Sequence, residues 1–105
     1  MARRLVQRRA AEADVAEQLT YLAAERPAVA HRYAMALENA FARLREMPEV
    51  GVLRSFDART LRAVRVWPLP GFRRFLIFYR VTPTVVEVIR VLHSARDIPR
   101  VLKGS

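Results

Sequence analysis

The chain has 105 residues, no cysteine and a formal net charge of +9. This length predicts one domain, residues 1–105, and the lack of cysteine excludes disulfide scaffolds and thiolate metal sites. Its two histidines, His31 and His93, are too few to suggest a zinc site, and no motif calls for a cofactor. The charge favours an acidic partner: nucleic acid, an anionic membrane or an acidic protein.

The sequence also predicts where the protein works. The N-terminal segment, residues 1–15, is basic but lacks the apolar core of a signal peptide. No apolar run approaches the roughly 20 residues that cross a bilayer, and neither predicted helix sets an Arg-rich face opposite a wide apolar one, as membrane-surface helices do. We therefore expect a cytoplasmic protein with no membrane role.

The first half of the chain is predicted to be helical after one short strand at Leu5–Val6. Apolar residues recur at three- and four-residue steps over Ala10–Glu25, which predicts a first helix. Pro27 suits the first turn of a second helix, and Pro48 and Gly51 end it. The short connection between the two helices predicts an antiparallel hairpin. The two apolar stripes consist of Ala11, Val15, Leu19 and Leu22, and of Ala30, Tyr33, Leu37, Phe41 and Leu44.

The second half has the pattern of strands. Leu61–Trp67 is predicted to be a strand with Leu61, Ala63, Arg65 and Trp67 on one face and Arg62, Val64 and Val66 on the other. Phe72–Val81 and Val85–Leu92 have the aromatic and β-branched composition of buried strands. Prolines and glycine at residues 68–71 and a Thr-Pro-Thr segment at 82–84 predict the turns. Ala95–Leu102 is predicted to be a short helix or an extended tail, because Pro99 argues against a long helix.

This order predicts an α+β fold, β-α-α-β-β-β, in which the helical hairpin packs on one face of a small, mainly antiparallel sheet. The opposite face, or one edge, is expected to remain free for function. Arginines and aromatic residues concentrate on the predicted strands, and such side chains bind phosphates, carboxylates and bases. The alternative is an ordinary solvated face on which arginine stems cover apolar surface. The predicted partner-binding residues are Arg62, Arg65, Trp67, Phe72, Arg73, Arg74, Tyr79, Arg80 and Arg90.

No catalytic residue is predicted. Most carboxylates lie on the helices, and the chain has neither a Gly-rich phosphate loop nor a nucleophile motif. His93, with Arg90 and Arg96 nearby in sequence, is the alternative, because an imidazole can exchange a proton with a ribose hydroxyl near neutral pH. The competing interpretation of His93 is an imidazole that packs or caps a neighbouring loop. Without a DNA-reading motif, direct sequence-specific DNA binding is not expected.

An ordered set of residues across most of the chain resembles ParE-type toxins of the ParE/RelE superfamily, over about Arg3 to Asp97. One departure is Gln18, where such proteins usually carry an apolar residue; Leu19 could compensate through a slight rotation of the helix. The helical part of the set is Ala13–Asp14–Val15, Tyr21, Pro27, Ala30, Leu44, Pro48 and Gly51, and the strand part is Leu61–Arg62, Phe75–Arg80 and Val91–Asp97.

The resemblance implies the toxin of a type II toxin–antitoxin pair, neutralised by a ParD-like antitoxin and directed at DNA gyrase or topoisomerase IV. RelE-like members of the superfamily instead cut mRNA on the ribosome and tend to carry Tyr-Arg-Leu-Val-Tyr in the third strand. Leu76 stands here in place of that arginine, and losing one charge-stabilising group typically costs about a hundredfold or more in rate. An mRNA endonuclease and an interaction module that has lost its toxicity remain the alternatives.

Overall fold

The computed structural model describes residues 2–54 and 63–103. Its elements follow the predicted order, with one short strand and one 3₁₀ turn added, and the C-terminal segment forms a short helix, one of its two predicted alternatives. They are β1 (Arg4–Gln7), α1 (Arg9–Glu25), α2 (Pro27–Glu46), a 3₁₀ turn at Pro48–Val50, β2 (Val52–Arg54), β3 (Val64–Leu69), β4 (Phe72–Val81), β5 (Val85–His93) and α3 (Ile98–Lys103).

The strands form one sheet in the order β1-β5-β4-β3-β2. β1 runs parallel to β5, and the other neighbours are antiparallel. The α+β prediction is confirmed. The predicted turn at Pro68 is wrong, because β3 continues through it to Leu69, and the register shifts between these two residues; proline is tolerated in a strand at such an irregularity. The start of the predicted Leu61–Trp67 strand lies outside the described residues.

Both long helices cover the same face of the sheet. Pro27 occupies the first turn of α2, where its missing N–H costs no hydrogen bond, and Arg26 ends α1 while preceding α2. Because the apolar residues of each helix share one side, the hairpin can bury both stripes together. The resulting core contains Ala11, Tyr33, Leu37, Ala40 and Leu44 of the helices and Leu69, Ile77, Tyr79, Val86, Val88 and Val91 of the strands.

The opposite face of the sheet is not free, so the first of the two predicted alternatives is wrong, whereas the edge strand β2 is exposed. Ile98, Val101 and Leu102 of α3 pack against a second apolar cluster there, and Leu102 is only 1% exposed. Their three- and four-residue spacing places them on one side of a short helix. Pro99 lies within the first turn of α3, where proline is tolerated. The strand residues of this cluster are Val64, Val66, Phe78, Ile89 and Leu92.

Candidate partner-binding surface

Arg90, one of the predicted contact residues, forms an ion pair with Asp14 of α1. The Arg90 Nε and Nη2 atoms donate to the Asp14 Oδ2 and Oδ1 atoms, both at 2.7 Å, and the Val91 N–H donates to Oδ2 at 3.1 Å. The side chains of Arg90 and Asp14 are 15% and 7% exposed. The hydrogen bonds to Asp14 raise the pKa of Arg90, against the opposing effect of burial. This guanidinium joins α1 to β5 and presents little surface to a partner.

Gln18 has a polar role that the sequence analysis did not anticipate. Its Nε2 donates to the carbonyl of Val91 at 2.8 Å, and the hydroxyl of Tyr33 donates to its Oε1. Burial, and secondarily the charge of Asp14, raises the pKa of Tyr33. Leu19, the proposed compensating residue, is half-buried against the same core. Gln18 therefore ties both helices to β5 with hydrogen bonds.

Tyr79, another predicted contact residue, is completely buried. Its hydroxyl donates to the carbonyl of Pro48 at 2.6 Å and accepts the N–H of Gly51 at 2.8 Å. Burial is the main cause that raises its pKa. The phenol ring thus holds the turn after α2 against the sheet and cannot stack on a partner in this conformation.

The remaining predicted arginines that the structure describes differ in burial and in contacts. Arg65 donates through Nη1 to the carbonyl of Gly51 at 2.8 Å, which fixes the same turn as Tyr79 does. Arg80 is half-buried, and its buried Nε has no hydrogen-bond partner among the described residues. Arg73 and Arg74 are exposed at the start of β4. Arg62 lies outside the described residues, so its placement stays a prediction.

Trp67 and Phe72 line an open groove between α2 and the β3–β4 turn, with a volume of about 770 Å³. The ring of Phe72 meets that of Tyr33 edge-on, with 5.3 Å between centroids. We call this surface the α2 groove and define it by Arg32, Met35, Ala36 and Arg43 on α2 together with Trp67 and Phe72 on the strands.

The α2 side of this groove is absent from the predicted contact residues, all of which come from the predicted strands. Arg32, Met35, Asn39 and Arg43 also recur at three- and four-residue steps, and this spacing aligns residues on one side of a helix. Met35 is 46% exposed and lies on the same side of α2 as the two arginines of this second stripe. This second stripe, which mixes polar and apolar residues, is the sequence feature that could have indicated the α2 side of the groove.

The alternative catalytic residues do not converge on one cleft. His93 accepts the N–H of Ala95 at Nδ1, at 3.0 Å, and its ring meets that of Phe75 edge-on at 5.2 Å. Arg96 is exposed in the turn that follows, while Arg90 faces Asp14. The contacts of His93 are those of a packing and turn-capping imidazole. It also lines a cavity of about 370 Å³ with Glu17 and Tyr21.

Within residues 2–54 and 63–103, no group of three or more His, Cys, Asp or Glu side chains is arranged to hold a metal ion. None of the helices in the same ranges combines the length and apolarity required to cross a bilayer.

Comparison with solved structures finds the same fold in a chain from the chromosomal ParDE TA system of P. aeruginosa. The TM-score is 0.70 at 18% sequence identity, and the match covers 88% of this chain and 96% of that chain. No curated protein sequence matches significantly. The sequence model of the family described as the ParE toxin of the type II toxin–antitoxin system parDE matches residues 5–98. The chain therefore belongs to the ParE toxin family.

Proposed function

We propose that this protein is the toxin of a type II toxin–antitoxin pair, that it inhibits DNA gyrase or topoisomerase IV in the cytoplasm, and that a ParD-like antitoxin neutralises it. Family membership supports the toxin class. The observation that best supports a toxin without nuclease activity is the Asp14–Arg90 ion pair. Because Arg90 of β5 binds a carboxylate inside the fold, its guanidinium is not directed at an RNA phosphate.

A RelE-type cleavage centre needs a general base beside the ribose hydroxyl and guanidinium groups aimed at the phosphate. Here Asp14 accepts from both Nε and Nη2 of Arg90, and a backbone N–H occupies Nδ1 of His93. Leu76 packs against the apolar cluster beneath α3, where a phosphate would lose its hydration without gaining a charge partner. These contacts favour inhibition by binding over cleavage of RNA.

The charge of the protein supports binding to acidic partners. Arg73 and Arg74 are exposed at the start of β4, and the formal net charge is +9. Complementary charge speeds association and selects among partners. An acidic antitoxin and an acidic surface of the topoisomerase would both meet this requirement.

The test is a supercoiling assay with purified full-length toxin, gyrase and relaxed plasmid. We expect inhibition that increases with toxin concentration and that disappears when the product of the adjacent antitoxin gene is added. Arg73→Glu with Arg74→Glu should weaken inhibition, whereas Arg9→Glu with Arg100→Glu, which changes the net charge equally at two other exposed positions, should not. Normal turnover of both gyrase and topoisomerase IV at a large toxin excess would contradict the proposal.

A ribosome-dependent mRNA endonuclease is the second candidate, and the half-buried His93 in its cavity with Glu17 and Tyr21 is the observation that favours it. Primer extension on mRNA after induction would then reveal discrete cuts within codons, and His93→Ala would abolish them. Growth arrest without such cuts, and undiminished in His93→Ala, removes this candidate.

A further inference from the structure

The cavity that His93 lines lies between α1 and the adjoining ends of β4 and β5, and we call it the His93 cavity. Its volume of about 370 Å³ is within the range of small-ligand sites, about 300–1,000 Å³. The half-buried rings of Phe75 and His93 meet edge-on at 5.2 Å on its sheet side. On its helix side are two pairs of residues four positions apart, a spacing that aligns each pair along α1. These pairs are Glu17 with Tyr21 and Gln18 with Leu22.

Two polar groups of the His93 cavity are available to a ligand. The Nδ1 atom of His93 accepts the N–H of Ala95 at 3.0 Å, so the neutral ring carries its proton on Nε2 and donates from there. Within residues 2–54 and 63–103, no group donates a hydrogen bond to the carboxylate of Glu17. The amide of Gln18, in contrast, already bonds within the fold. The cavity therefore offers a ligand one carboxylate acceptor and one imidazole donor.

Two exposed arginines stand beside the cavity. Arg74 precedes Phe75 in the chain, and its carbonyl accepts the N–H of Ser94 at 2.7 Å. The N–H of Arg96 donates to the carbonyl of His93 at 3.1 Å. These backbone contacts hold both arginines next to the rings of the cavity, and both side chains are exposed. Guanidinium groups in such positions bind phosphates.

This combination fits a nucleobase that carries a phosphate better than it fits other ligands. An apolar side chain of a partner would remove water from Glu17 and His93 without giving either a hydrogen bond. A cationic group would meet the N–H of His93 and the nearby arginines, in a protein whose net charge is already +9. A base can stack on aromatic side chains, and its amino and carbonyl groups can bond to Glu17 and His93.

Among the bases, guanine matches the two polar groups best. Its adjacent N1–H and N2–H groups can donate to both oxygens of one carboxylate, as the paired N–H groups of an arginine do, and its O6 and N7 atoms accept hydrogen bonds. Adenine and cytosine each offer a single amino group. Thymine and uracil place carbonyl groups on both sides of one N–H, and these would face the charge of Glu17.

We propose that the His93 cavity binds an unpaired guanine nucleotide. The ring of Tyr21, which is 67% exposed, stacks on the base, the carboxylate of Glu17 accepts its N1–H and N2–H groups, and the imidazole of His93 donates to its acceptor edge. Arg74 and Arg96 bind the neighbouring phosphates. The preference concerns an unpaired base and not the groove of a duplex. It does not rest on the proposed function, because a DNA strand or an mRNA strand could supply the nucleotide.

Fluorescence anisotropy with labelled single strands tests the base preference. The probe is a short strand of thymidines with one central deoxyguanosine, and its counterpart contains thymidine alone. Both strands have the same charge, so the net charge of +9 contributes equally to both affinities. We expect the guanine-containing strand to bind at least about tenfold more tightly. Equal affinities would overturn the proposal, as would a duplex of the same sequence that competes as well as the single strand.

Substitutions on α1 test the contacts with the base. Glu17→Gln should lower the affinity for the guanine strand to that for the thymidine strand, whereas Glu12→Gln, which changes the charge equally at another exposed position of α1, should keep the preference. Tyr21→Ala should weaken binding of the guanine strand about tenfold, and Tyr21→Phe should retain it. A preference that survives Glu17→Gln, or one that Glu12→Gln removes equally, would overturn the proposal.

Arg96 tests the contact with phosphate. Arg96→Gln should weaken binding of both strands by a similar factor and leave their ratio unchanged, since a phosphate contact carries no sequence information. Arg9→Gln, which removes the same charge at an exposed position of α1, should weaken binding less. Equal losses in Arg96→Gln and Arg9→Gln would overturn the assignment of the phosphate to Arg96.

Ribonucleotide versions of the two strands identify the source of the nucleotide. A guanine preference in the DNA strands supports the site and assigns it to DNA, whereas a preference confined to the RNA strands supports the site and favours the mRNA endonuclease. The supercoiling assay separates this inference from the proposed function. Normal gyrase turnover together with a guanine preference removes the proposed target and leaves the site. Inhibition of gyrase together with equal affinities for the two strands removes the site and leaves the proposed target.

Discussion

The two faces of the sheet are stabilised differently. On the face that carries α1 and α2, apolar packing is joined by directional polar contacts, among them the Asp14–Arg90 ion pair and the buried hydrogen bonds of Tyr79. On the other face the six-residue helix α3 packs through Ile98, Val101 and Leu102. Polar contacts require one geometry, whereas apolar contacts tolerate small shifts. We therefore expect the hairpin to be the fixed side of the molecule and α3 to be the side that opens at the lower free energy.

The largest expected decrease in the free energy of unfolding comes from removing the carboxylate of Asp14 on the hairpin side. Asp14→Ala leaves the guanidinium of Arg90 largely buried without its carboxylate partner, and removing one member of a buried ion pair costs about 3–5 kcal/mol. We expect the free energy of unfolding to fall by about that amount, measured by urea denaturation monitored with circular dichroism.

The half-exposed ion pair between Arg8 and Glu87 is the matched control for this variant. Its atoms are 3.1 Å apart, and the two side chains are 32% and 34% exposed. Glu87→Ala should cost less than about 1 kcal/mol, because water solvates the remaining charge. Equal losses in Asp14→Ala and Glu87→Ala would show that burial does not distinguish the two pairs.

Truncation of the buried residue of α3 tests the other face. Leu102→Ala removes a side chain that is only 1% exposed, and such changes typically cost about 2–5 kcal/mol. We expect about 2 kcal/mol, since a short helix can detach before the rest unfolds. Native-state hydrogen exchange should become faster in α3 while the amides of α1 keep most of their protection. Uniform loss of protection in both helices would contradict the difference between the faces.

A smaller effect is expected from crowding at Gly51. A Cβ atom there would lie 2.5 Å from the hydroxyl oxygen of Tyr79, and overpacking of this kind costs about 1–3 kcal/mol. We expect Gly51→Ala to lower the urea midpoint and to show coupling with Tyr79→Phe in a double-mutant cycle.

Gly71 is the matched control for this substitution. It has a φ of +86°, and nothing lies within 4 Å of a Cβ placed there. Gly71→Ala should cost about 1 kcal/mol through backbone strain and should be additive with Tyr79→Phe. A coupling free energy of similar size in both double-mutant cycles would exclude direct crowding against Tyr79 as the cause of the destabilisation by Gly51→Ala.

The smallest effect concerns alkaline pH. Burial raises the pKa of Tyr33 and of Tyr79 above the ordinary value of 10.0. A pKa raised by folding gives stability that is fully present below the unfolded pKa and is lost as pH rises through the folded pKa. The melting temperature should therefore stay constant from pH 8 to about 10 and decrease above that pH. The decrease should be smaller in Tyr33→Phe. An equal decrease in that variant would show that Tyr33 does not contribute to the loss of stability at alkaline pH.

The exposure of the predicted contact residues could be predicted from the sequence only in part. Trp67 and Phe72 line the open α2 groove, whereas Tyr79 and Arg90 lie inside the fold. Binding of a partner at the groove stays a prediction. Residue type alone gives the same prediction of partner contact for all four residues. An aromatic or arginine side chain can lie on the surface or in the interior, and its neighbours in the fold decide which. The neighbour that decides the case of Arg90 is Asp14, which is 76 positions away.

The sequence by itself determined the fold class, the two long helices and the strands from Phe72 onward, because hydrophobic periodicity and proline positions act over neighbouring residues. Tertiary structure decided which arginines remain available, that α3 covers the second face of the sheet, and that Arg32 and Arg43 share a groove with Trp67. These features arise where segments that are distant in sequence pack together. The periodicity of neighbouring residues contains no information about which charged side chains will pair across such contacts.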